Sequence, residues 1–105
     1  MGLFSKKNKV VETPMKDLLK FHGKGISYAV ERVNGEEINL GKQGGISVVG
    51  DEIVVLLNSH EVFRCKTKGA VACELMSGNG CDIKGVDPVT EKQRHIICFY
   101  AKRPH

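Results

Sequence analysis

The chain has 105 residues, with sixteen Lys and Arg against twelve Asp and Glu, for a formal net charge of +4. Apolar residues make up 41% and charged residues 27%, a composition that excludes disordered and fibrous classes and fits one globular domain. No apolar run approaches the roughly 20 residues of a membrane span.

The first quarter of the chain differs from the rest. Residues 1–25 carry Lys6, Lys7, Lys9, Lys16, Lys20 and Lys24 against Glu12 and Asp17, whereas basic and acidic side chains balance over the remaining eighty. Residues 1–12 read as a flexible basic arm, and residues 13–105 as a single domain. Met1-Gly2-Leu3-Phe4 does not complete a myristoylation pattern, because Lys6 stands where Ser or Thr is required. No apolar stretch follows the early lysines, so no secretory signal is legible, and the expected location is the cytoplasm.

One short helix is expected at about 14–22. Thr13 suits its cap, Pro14 its first position and Gly23 its stop. Met15, Leu18 and Leu19 fall at i, i+3 and i+4 and form the face that must pack on something. His22, closing the helix beside Gly23, is expected to meet the last carbonyls.

From Gly25 onward the turn chemistry predicts consecutive hairpins. Asn34-Gly35 separates 27–33 from 36–40, the strongest short hairpin signal. Gly41-Lys42-Gln43-Gly44-Gly45 fails the phosphate-loop spacing and reads as a turn, as does Gly23-Lys24-Gly25. Gly50-Asp51 separates 46–49 from 53–57, and Asn58-Ser59-His60 precedes 62–65. Ser77-Gly78-Asn79-Gly80 separates 71–75 from 81–86, and 87–92 form a longer turn before 95–100. Residues 70–76 hold several good helix formers, but the shared parity of Val71, Cys73 and Leu75 favours a strand. Residues 53–57 and 96–100 are apolar on both faces and are the expected central strands. The predicted fold is mainly β: a small antiparallel barrel or two-layer sandwich of seven to eight short strands with one short N-terminal helix. The strand count is similar to that of pleckstrin-homology architecture. That architecture ends in an amphipathic helix, whereas Lys102-Arg103-Pro104-His105 follows the last strand directly here.

Catalytic and cofactor motifs are absent from the sequence. Cys65, Cys73, Cys81 and Cys98 lie in or beside apolar runs and read as buried free thiols. They offer no close C-x₂₋₄-C pair for zinc, and His95 and Cys98, three apart in a strand, face opposite sides. His60 falls in a turn, and neither it nor His95 can be given a role from sequence. Of Tyr28, Phe63, Phe99 and Tyr100, most fall in apolar strands, where core packing is the expectation.

The expected function is therefore a small non-catalytic domain acting as a protein-interaction or self-assembly module, without cofactor or metal. The alternative is nucleic-acid or anionic-membrane-surface binding through Lys6, Lys7, Lys9, Lys16, Lys20 and Lys24.

Overall fold

The computed structural model describes residues 13–101. A single helical turn, α1 (Met15–Leu18), runs into a 3₁₀ turn at Leu19–Phe21. Seven strands follow: β1 (Gly25–Val33), β2 (Glu36–Val49), β3 (Glu52–Leu57), β4 (His60–Lys66), β5 (Val71–Glu74), β6 (Gly80–Val86) and β7 (Gln93–Tyr100). All pair antiparallel in one sheet of order β4-β3-β2-β1-β7-β6-β5.

The expected mainly β class and short N-terminal helix are borne out, at the lower strand number. The barrel is not: β4 and β5 remain edges and the sheet does not close. It curls instead, bringing β4 over β6. Gly85 permits this approach, because a Cβ there would overlap Cys65 Sγ and lie 2.8 Å from Cys65 Cβ. The concave side holds the core, including Ile26, Ile46, Ile53, Val55, Phe63, Ile83 and Ile96, each no more than 1% exposed. Leu18 and Phe21 close one end of it.

The hairpin turns behave as their residues dictate. Asn34-Gly35 and Asn58-Ser59 both hold positive φ at two successive positions, the geometry that matches strand twist in two-residue hairpins. Gly41 to Gly45 do not turn. β2 runs straight through them as a fourteen-residue strand, with irregular backbone at Gly41 (φ 143°) and Gln43 (φ 56°) absorbed inside it. Gly44 is needed there because any Cβ would overlap the Leu56 carbonyl of β3.

Four further expectations change. Thr13 makes no cap hydrogen bond; its hydroxyl accepts from Ala72 N–H at 2.9 Å and donates to Ala72 O at 3.2 Å, covering part of the β5 edge. His22 Nδ1 accepts from Val48 N–H at 2.9 Å and so ties the helical segment to β2. Residues 71–74 are a strand, but of opposite parity to that expected: Ala72 is buried and Cys73 exposed. β7 lies centrally, whereas β3 sits next to the β4 edge.

Candidate functional site

The outer face of the sheet is defined by β1 and β7. On β7, Ile96, Cys98 and Tyr100 belong to the core or pack against it, so alternation turns Ile97 and Phe99 outward. On β1, Ile26 and Ala29 both face the core although three residues apart. The cause is a bulge. The register against β7 steps from Ile26↔Tyr100 to Tyr28↔Phe99, leaving one extra residue on β1. Tyr28 and Val30 are thereby placed outward, opposite Phe99 and Ile97.

This arrangement departs from the expectation that most of the four aromatics pack in the core. Phe63 is buried, but Tyr28 is 37% exposed and its ring stacks on Phe99, with centroids 4.5 Å apart and planes 17° from parallel. Beside the stack lies a groove of about 450 Å³ lined by Ser27, Tyr28, Gln43, Asn79, Phe99 and Tyr100 together with Ile26 and Ala101. None of these residues is acidic. Lys24 Nζ stands 4.9 Å from the Tyr100 ring centroid, and Lys42 is the register partner of Tyr28 on β2. The nearby carboxylate of Glu74 accepts a 3.0 Å hydrogen bond from Tyr100 Oη.

The lysines singled out by the sequence do not assemble into one patch. Lys6, Lys7 and Lys9 lie outside the described residues. Lys16 is exposed on α1, and Lys20 pairs with Asp17 at 3.5 Å. Lys24 alone among the described three contacts a ring of the groove, that of Tyr100. Residues 13–101 carry eleven basic and eleven acidic side chains, so the net +4 is divided between residues 1–12 and 102–105.

Two other polar clusters bring together residues of the types that build sites. The first joins Cys73, Asp82 and His95 on the outer face of β5, β6 and β7. Cys73 Sγ donates to Asp82 Oδ1 at 3.4 Å, and His95 Nε2 lies 3.6 Å from Asp82 Oδ2 without a hydrogen-bond partner. Nucleophilic catalysis needs the histidine between thiol and carboxylate; here the carboxylate stands in the middle. Burial and the Asp82 contact both raise the Cys73 pKa, which suppresses the thiolate that reacts. His60 is exposed at the start of β4, with Nδ1 2.8 Å from Asn58 O.

The second cluster centres on Arg94. Its guanidinium donates to both carboxylate oxygens of Glu31 at 2.9 and 2.8 Å, to Asp87 at 3.2 Å and to Val62 O on the β4 edge at 3.2 Å. It also lies 5.3 Å from the Phe63 ring centroid. Four of its five N–H donors are used by the protein itself, so this cluster fastens the open seam. Buried Cys65 is pushed up to about 11 by desolvation, then by Glu52. Cys81 and Cys98 are cross-strand partners in the core. Among the described residues, no group of three His, Cys, Asp or Glu side chains is placed to hold a metal ion.

Compared with known proteins, the chain matches no family model, no curated protein and no solved structure. Among the described residues, no helix is long and apolar enough to cross a membrane.

Proposed function

We propose that this chain is a small non-catalytic binding module, and that the outer face of β1 and β7 is its contact surface. The observation that carries the reading is the half-exposed Tyr28–Phe99 stack, set over Val30 and Ile97 on the side of the sheet away from a completed core. Val30 and Ile97 are buried, at 7% and 6% exposed, and the part of the aromatic pair left open supplies rigid, amphipathic contact area at small entropic cost. The ordinary occupant of such a face is another protein surface or a second copy of the chain. An anionic polymer is the second reading, favoured by Lys24 and Lys42 beside the rings.

Sedimentation of the full chain across micromolar concentrations tests the first occupant. Concentration-dependent association that Tyr28→Ser abolishes supports self-assembly through this face. Association that Tyr28→Ser leaves unchanged removes the face from that role.

A further inference from the structure

We infer that the groove beside Tyr28 and Phe99 is a binding site for single-stranded nucleic acid, an inference that rests on the reading of this face as the contact surface. Three observations converge on that ligand.

The first is the geometry of the rings. Tyr28 already stacks nearly parallel on Phe99, and with 37% of its surface open it can extend the stack by one more planar ring. Nucleobases all present a flat π-face, and unpaired ones are free to stack. Adjacent sheet strands carrying outward aromatics at opposed positions form the platform on which bases lie. A duplex, whose bases are already stacked, cannot use it.

The second is charge. The described body is electrically balanced, yet the groove has no acidic lining residue. Lys24 sits over Tyr100 and Lys42 lies opposite Tyr28. Neither makes an ion pair among the described residues, in contrast with Arg32, Arg64, Lys66 and Arg94. Two cations of the body therefore stand beside groove residues, Lys24 at Tyr100 and Lys42 opposite Tyr28. A protein partner's apolar patch gains little from two unpaired lysines; a phosphate backbone gains directly.

The third is the remaining lining. Ser27, Gln43 and Asn79 place a hydroxyl and two carboxamides around the rings. Such neutral groups can both donate and accept, as the edges of different bases and a ribose hydroxyl require.

The test uses the full chain and fluorescence anisotropy with labelled U-rich RNA and T-rich DNA of about twelve nucleotides, within the footprint of a small β-fold. Saturable binding is expected at about 50 mM salt, weakening severalfold by about 200 mM as counterions are retained. Tyr28→Ser should weaken it roughly tenfold, the scale of one base stack. Tyr28→Phe, which keeps the ring, should bind like the parent. The pair Lys24→Gln and Lys42→Gln should weaken binding and flatten the salt dependence, by roughly 0.7 in logarithmic slope for each phosphate no longer neutralised. Lys42 is exposed and Lys24 half-buried, and neither belongs to the core, so this second variant tests the site even if the Tyr28 change disturbs folding. RNA binding that exceeds DNA binding assigns a part to the 2′-hydroxyl; equal binding assigns the site to stacking and phosphate alone.

Absence of binding to either oligonucleotide overturns the inference. So does equal binding of heparin or duplex DNA that ignores Tyr28→Ser, which is attraction to the chain ends alone. Binding to vesicles rich in phosphatidylserine but not to oligonucleotides assigns the cations to a membrane surface instead. If oligonucleotides fail while Tyr28→Ser still breaks self-association, the contact face stands and its nucleic-acid occupant falls. If Tyr28→Ser alters neither, both fall.

Discussion

Two cation–aromatic contacts lie near opposite ends of β7, and they serve different ends. Arg94 over Phe63 and Lys24 over Tyr100 differ by only 0.4 Å in distance, at 5.3 and 4.9 Å. Arg94, however, is locked by two carboxylates and a backbone carbonyl, above a ring that is 1% exposed. Lys24 has no carboxylate partner among the described residues. The contact type does not distinguish a structural clasp from an available site; what else the cation is bonded to does. Arg94 spans an open seam that the sheet's hydrogen bonds leave unclosed, whereas Lys24 borders strands already paired on both sides.

Substitution separates the two regions most sharply at Arg94. Arg94→Ala leaves Glu31 and Asp87, each 17% exposed at the side chain, without their cation. The expected destabilisation is about 2–4 kcal/mol in urea unfolding, somewhat below the cost of breaking a fully buried pair. A change below about 0.5 kcal/mol, the range of an ordinary surface substitution, erases the contrast.

Gly85→Ala probes the same seam through packing. The added methyl meets Cys65 Sγ and Cβ, and overpacking of this kind costs roughly 1–3 kcal/mol. A Cys65→Ala change in the same chain should recover part of that stability, because it removes the colliding sulfur.

Acid should open the seam before it affects the aromatic face. The Asp87 carboxyl is held below the usual carboxylate range by the Val89 and Thr90 N–H groups, with Arg94 adding to it. A depressed folded-state pKa gives stability that is present above the unfolded value and is lost as pH falls through the folded one. Unfolding midpoints should therefore decline below about pH 4, and Asp87→Asn should blunt the decline. An unchanged acid limb in that variant assigns the pH dependence to other carboxylates.

The smallest stability effect belongs to the aromatic face. Lys24→Gln forfeits a half-buried cation–π contact of about 0.5–1 kcal/mol, close to the resolution of a denaturation curve. A destabilisation approaching that of Arg94→Ala makes Lys24 structural and removes the reason to regard it as available.

How far these regions could be read from sequence follows from the range over which their causes act. Asn34-Gly35, Gly50-Asp51 and Asn58-Ser59 announce their hairpins because a turn is decided by two residues. The alternation of Cys81, Ile83 and Gly85 against Asp82 and Lys84 predicts the buried face of β6 correctly. Gly41 to Gly45 mislead, since glycine serves close backbone approach as readily as a turn; Gly44 meets β3 within a continuous strand. Cys73 and Ala72 exchange their expected faces because a four-residue strand carries too few alternations to fix its parity. The Arg94–Glu31 pair spans 63 residues, and no local pattern encodes it. Of the candidate site, the sequence singles out Lys24 and records Tyr28 and Phe99 as aromatics. It expects most of the four aromatics in the core, and does not show that Tyr28 and Phe99 face outward together.

For Tyr28 the cause is the extra residue between Ile26 and Tyr28. With unbroken alternation, Ile26, Tyr28 and Val30 would share the interior, and Ala29 and Glu31 would meet water. The bulge shifts the frame by one, and its effect is not confined to the tyrosine. The same shift that sends Tyr28 and Val30 outward carries Glu31 inward, three residues later, to the place where Arg94 receives it. The exposed ring and the fastened seam are thus two readings of a single backbone phase. No side-chain substitution can trade one for the other; only the insertion or deletion of a residue could, and it would alter both at once.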